Sequence, residues 1–139
     1  MLMESDRLGV LEIDESSIID VPDGLLGFDE RHRFVLIPAD EVGAYSWLHA
    51  LDDPELAFLV VVPNFFFPDY APELTDDEVE VLGLSDPDAA QVLCIVTISD
   101  DQVTANLLGP LVLNVETKVA RQVVLTDQDF SVRTPLGPN

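Results

Sequence analysis

QVLCIVTISDDQVTANLLGPLVLNVETKVARQVVL, residues Gln91–Leu125, decides the fold. Val92–Ile98 is a β-branched apolar run of strand length. Asp100-Asp101 breaks it, because short acidic side chains bond nearby backbone amides and favour turns. Val103–Leu107 resumes the pattern, Gly109-Pro110 punctuates it, and Leu111–Val115 and Val119–Leu125 follow. Breaks this short predict successive antiparallel strands, since a parallel pair needs a longer crossover.

Working outward, the remaining chain reads the same way. Strands are expected at Arg7–Ile13, Ile18–Val21, Arg33–Ile37, Tyr45–Leu51 and Leu56–Val62, with a last edge strand at Phe130–Thr134. Pro22-Asp23-Gly24 is a turn, and Leu25–Phe28 is read as one irregular helical turn. Thr75-Asp76-Asp77-Glu78 is the clearest helix start. Thr75 caps, Glu78 sits where a capping box needs it, and Leu74 with Val79 suits a hydrophobic staple. Gly83 stops that helix, so it covers Asp76–Leu82. About nine strands and one short helix give an all-β, mainly antiparallel, barrel-like fold.

At 139 residues the chain is expected to be one domain, 1–139, with short flexible tails at about 1–6 and 135–139. An apolar fraction of 47% supports a packed core rather than a disordered chain. The longest apolar runs, Leu56–Pro63 and Val92–Ile98, fall far short of the ~20 residues that cross a bilayer. Met1–Asp6 lacks the basic-then-apolar order of a signal peptide, which points to the cytoplasm.

Charge is the dominant compositional feature. Twenty-seven acidic residues face six basic ones, a formal −21. Such a chain repels nucleic acid and anionic membranes, so its macromolecular partner is expected to be basic. The same charge also serves solubility, and charge alone selects no partner.

Catalytic patterns are missing. The sequence has no phosphate-binding glycine loop, no paired-histidine zinc motif and no nucleophile elbow. Asp52-Asp53, Asp76-Asp77 and Asp100-Asp101 lack the spacing of a calcium loop and read as turn and cap residues. Cys94 lies inside an apolar strand with no base nearby in sequence, so it reads as an inert thiol. His49 reads as structural. No catalytic residue, metal site or cofactor is therefore expected.

Pro63-Asn64-Phe65-Phe66-Phe67-Pro68-Asp69-Tyr70 admits two readings. Three adjacent rings cannot all face one core. Either the loop folds back and plugs the barrel end, or some rings form a patch for a partner. Asn106 and Asn114 are unusual in strands, and their amides either stitch strand ends to loops or face a partner.

The ordered set Leu26-Gly27-Phe28, Arg33-Phe34, Trp47-Leu48, Asp52-Asp53-Pro54, Ala57-Phe58, Pro63, Pro68-Asp69-Tyr70, Thr104-Ala105-Asn106-Leu107, Pro110, Asn114 and Gln122–Leu125 resembles the FliW family of flagellar assembly factors. The resemblance runs from about Leu8 to Pro135; Phe65-Phe66-Phe67 is more aromatic than the family pattern. It implies a small, cytoplasmic, monomeric, non-catalytic β-barrel. It also implies two partners, flagellin and CsrA, a dimeric RNA-binding translational repressor. Holding CsrA frees flagellin mRNA, and accumulating flagellin then displaces CsrA. Phe28, Phe66, Tyr70, Glu73 and Asn106 are the expected partner-binding residues. The competing reading is an acidic chaperone or nucleic-acid mimic that masks another basic protein; a small hydrolase or metal-dependent enzyme ranks third.

Self-repulsion of this charge sets one expectation. Raising ionic strength moderately should raise the melting temperature measured by circular dichroism, because salt screens like charges.

Overall fold

The computed structural model describes residues 1–25, 27–28, 30–99, 101–125 and 128–136. Its strands, in chain order, are β1 (Leu2–Ser5), β2 (Gly9–Glu12), β3 (Ile19–Asp20), β4 (Arg33–Pro38), β5 (Tyr45–Ala50) and β6 (Ala57–Val61). Helix α1 (Asp76–Leu82) follows, then β7 (Ala90–Ser99), β8 (Gln102–Ala105), β9 (Leu111–Asn114), β10 (Val119–Gln122) and β11 (Thr134–Pro135). The expected β-rich architecture with one short helix is what forms.

Hydrogen bonding closes on itself. β3, β4, β5, β6, β7, β9 and β10 pair in that order, and β10 returns to β3. The closing pair, Val119 with Asp20, is parallel; the other pairs in the ring are antiparallel. Closure removes free edges from the ring. Each ring strand sends apolar side chains inward: Ile19, Phe34, Leu48, Ala50, Val60, Leu93, Leu111, Leu113 and Ala120 form one buried cluster. The alternation is the two-residue period of a strand with one face in a core.

The outer face of the ring is partly covered too. Val35 and Ile37 on β4, and Leu51, pack against Met3, Leu11 and Ile13 of the β1–β2 hairpin. The hairpin is pinned by polar bonds: His49 Nδ1–H donates to the Ala50 carbonyl at 2.7 Å, and its Nε2 lies 2.8 Å from Ser5 Oγ. His49 is thus structural, as its place in the sequence implied. The amino-terminal segment, expected as a flexible tail, is instead a paired strand. Its charges mark the solvent side, while Met3 is 2% exposed.

Four further expectations need correction. Leu25–Phe28 is not a helical turn: Leu25 and Phe28 form an isolated antiparallel bridge, with Gly27 at φ 83°. Leu26 lies outside the described residues. Phe130–Thr134 is not a strand; only Thr134–Pro135 pairs, with β8. Pro135 and Leu136 are not a loose tail, since Leu136 is buried; residues 137–139 lie outside the described residues. Finally, β8 and β9 do not pair with each other, because both lie antiparallel to β7.

Helix α1 starts and stops where the sequence placed it. Thr75 Oγ1 accepts from the Glu78 amide at 3.2 Å, and its hydroxyl donates to Glu78 Oε1 at 2.8 Å. Gly83 adopts φ 66°, and the Leu84 amide reaches back to the Val79 carbonyl at 3.0 Å, a Schellman end. The leftover Leu82 carbonyl accepts from Asn114 Nδ2 at 2.8 Å. Asn114 Oδ1 in turn accepts from the Glu116 and Thr117 amides. One buried amide therefore ties the helix end to the β9–β10 turn.

Asn114→Ala would leave those backbone groups unpaired at a site that is 1% exposed. Urea unfolding should show a loss of about 3 kcal/mol with an unchanged slope.

Candidate partner-binding site

Strand β7 meets β8 and β9 end to end, but in two registers. Ala105 lies opposite Val96, and Leu111 opposite Leu93. Six residues advance on one side against three on the other, so three extra residues must leave the ladder. Asn106–Pro110 is the resulting excursion. Asn106 shapes it: its Oδ1 accepts from the Leu108 amide at 3.1 Å and the Gly109 amide at 2.9 Å. Gln122 Nε2 donates to the Gly109 carbonyl at 3.0 Å. A side chain at Gly109 would press against both amides, its Cβ 3.2 Å from Asn106 Nδ2.

The excursion offers the Leu107 carbonyl to Tyr70, whose hydroxyl donates to it at 2.7 Å. Tyr70 ends the aromatic loop. That loop is tightly self-bonded: the Phe66 and Phe67 amides both reach the Pro63 carbonyl, and the Tyr70 amide reaches that of Phe67. Asn64 Nδ2 closes it on the Tyr70 carbonyl at 3.0 Å. Tyr70 meets Phe130 edge-on at 4.9 Å, and Phe66 meets Tyr45 edge-on at 5.8 Å. The phenylalanine run divides between barrel end and surface. Phe66 and Phe67 are half-buried against the barrel end, while Phe65 is 56% exposed.

The result is an open, mainly apolar cavity of about 440 Å³ lined by Phe66, Phe67, Pro68, Tyr70, Leu107 and Phe130. The structure brings Phe66 and Tyr70 together there, and Asn106 immediately precedes Leu107 in the chain. Tyr70 and Asn106 act as supports: one is buried, and the other spends its carbonyl on the excursion's own amides. Glu73 lies three residues beyond Tyr70. Its backbone is clamped by Gln128, which accepts from the Glu73 amide and donates to its carbonyl, and its side chain is exposed. Phe28 does not join this group. It stacks edge-on against Phe58 at 5.0 Å, near the start of β6, whereas Phe66 follows the end of β6. There it lines a separate cavity with Arg31, Asp53 and Leu56, where Arg31 pairs with Asp53 at 3.3 Å.

Leu107 and Phe130 went unselected in the sequence. The Thr104–Leu107 motif marked the position, but only the register slip shows that Leu107 leaves the sheet. Among the described residues, no group of three His, Cys, Asp or Glu side chains is placed to hold a metal, and no helix is long and apolar enough to cross a membrane.

Beneath the cavity, burial holds the Cys94 thiol neutral, pushing its pKa up to about 12 against the neighbouring Tyr70 hydroxyl, which works the other way. Burial also raises Tyr70 well above the ordinary phenol range, with Cys94 adding to it. A folded pKa above the unfolded one means the unfolded chain loses its protons first. This stability is therefore complete below about pH 9, the ordinary thiol value, and is lost as pH rises from there. Unfolding midpoints in urea should fall progressively above pH 9. Native Cys94 should resist a thiol reagent at pH 8 and react fully once the chain is unfolded.

Comparison with known proteins agrees with this architecture. A family model described as FliW protein matches residues 2–136. The flagellar assembly factor FliW of Bdellovibrio bacteriovorus is 39% identical over 140 residues, covering 98% of this chain and 79% of that protein. Its counterpart from Geobacter sulfurreducens is 38% identical over 137 residues, covering 97% and 86%. A crystal structure of the flagellar assembly factor FliW superposes with a TM-score of 0.91 at 30% identity, covering 99% of this chain and 98% of that one. With the ordered motifs, the closed ring and these full-length matches in hand, the chain belongs to the FliW family of flagellar assembly factors.

Proposed function

We propose that this chain is a non-catalytic, cytoplasmic partner switch that binds flagellin and the translational repressor CsrA. Held CsrA leaves flagellin mRNA free for translation; accumulating flagellin then takes the chain and releases CsrA. The observation that carries the reading is the aromatic cavity, because a β-barrel this acidic has little use for half-exposed rings unless something apolar covers them. A helical flagellin terminus, with apolar side chains repeating every three to four residues, is a partner such a cavity fits. Phe66 is the contact, and Tyr70 and Asn106 hold the floor. Phe28, on its own cavity, forms a second point of contact. The charge of −21 supports fast, salt-sensitive capture of a basic partner, and it repels the transcript itself. The same charge is what favours the competing reading, an acidic mask for some other basic protein.

Calorimetry against purified flagellin and purified CsrA, each alone and then in competition, separates the two readings. Binding to both, with one displacing the other, is expected; binding to neither removes the proposal. Phe66→Ala should weaken flagellin binding by about tenfold or more while the melt shifts by only a few degrees. Unchanged flagellin affinity in that variant would move the contact elsewhere.

A further inference from the structure

A second groove lies between α1 and the first half of β7. Pro72, Leu74, Val79, Leu84, Ala90 and Val92 line about 330 Å³ of mainly apolar space. All six are half-buried, so the groove is open to solvent rather than part of the core. Its walls come from both ends of the helix. Leu74 precedes the Thr75 cap, Leu84 follows the Gly83 stop, and Ala90 and Val92 belong to the first half of β7.

Its rim is negative. Glu73 stands between two lining residues and is exposed. On the helix, Asp76 lies one turn before Val79 on the same side, and Glu80 lies next to it; both are exposed. Asp86 continues the rim beyond Leu84. No lysine or arginine occurs anywhere from Phe34 to Thr117, the span that supplies every wall of the groove. An apolar floor under an unneutralised anionic rim suits one kind of occupant. That occupant is a short cationic segment that places an aliphatic side chain on Val79, Leu84 and Val92 and aims lysine or arginine at the carboxylates.

We infer that this groove is the docking place of the basic partner, distinct from the aromatic cavity that takes the apolar one. The assignment rests on the two-partner reading above and adds to it which surface serves which partner. Val79 supplies the floor, and Glu73, Asp76 and Glu80 supply the attraction. Loss of rim charge should therefore act mainly on association and its salt dependence, and a charge on the floor mainly on retention.

Two variants of the full chain test it against purified CsrA and purified flagellin. Val79→Asp puts a carboxylate on the floor, and the double variant Glu73→Gln, Glu80→Gln removes rim charge at two exposed positions. Val79→Asp should weaken CsrA binding by about tenfold or more and leave flagellin binding within about twofold. The double variant should slow CsrA association and flatten its dependence on salt, with the melt unchanged. CsrA binding that survives both variants overturns the inference alone. A wild-type chain that binds no CsrA overturns it together with the two-partner reading. Equal losses for both partners in folded Val79→Asp would also overturn it, since the surfaces would then not be distinct.

Discussion

The two registers of β7 are the constraint on which the rest depends. A ten-residue strand serves β6 on one side and two strands in series on the other. The three-residue slip between those two cannot be absorbed by a flat ladder, so the chain leaves the sheet at Asn106 and returns at Leu111. Backbone groups that leave a ladder must find other partners, because an unpaired one in a buried place costs about 1–3 kcal/mol. The side chain of Asn106 meets two of them, Gln122 a third and Tyr70 a fourth. By bonding Leu107, Tyr70 fixes the far end of the aromatic loop and holds the cavity open at the barrel's rim.

Local chemistry was legible in the sequence, and adjacency was not. The helix was placed to the residue because Thr75, Glu78 and Gly83 act within a few positions of themselves. Strand segments were legible for the same reason: the two-residue alternation is a local signal. Which strands lie side by side depends on distant pairing, so β8 followed by β9 read as a hairpin when the two are collinear. Phe28 was grouped with Phe66 because one belongs to a recognisable motif and the other to a ring-rich loop, yet neither feature carries a distance, and β6 separates them. β2 falls inside the strand expected at Arg7–Ile13, but its hairpin partner β1 was missed because three of Met1–Asp6 are charged or polar, and its single deep anchor, Met3, leaves no periodic signal. Asn106 and Asn114 were flagged correctly as unusual. Both proved to satisfy backbone groups, the use that a lone asparagine in a strand end most directly allows.

Charge is distributed so that it does not disturb this framework. Among the described residues, the core clusters contain no Asp, Glu, Lys or Arg, and the buried polar residues are Ser5, His49, Thr104 and Asn114. Much of the basic complement is engaged at the surface: Arg31 with Asp53, Arg121 with Asp23, and Arg7 over the Trp47 ring at 4.5 Å. Exposed pairs of this kind contribute about 0–1 kcal/mol each and hold little of the fold together. Stability therefore comes from the closed ring and its core. The negative excess remains available to act on other molecules.

The closeness of Tyr70 and Leu74 in the chain bears on how one partner would displace another. Tyr70 lines the aromatic cavity and Leu74 lines the α1 groove. Four residues of chain reach at most about 14 Å. A protein partner that buries roughly 800 Å² of this surface covers a patch extending about 16 Å from its centre. Two such patches centred near Tyr70 and Leu74 would overlap, even with different side chains holding each partner. Displacement then needs no change of conformation: arrival of one protein removes the room for the other. Such an arrangement suits a barrel whose ring is closed and whose loops are bonded back on themselves, because rigid surfaces exchange partners by occlusion.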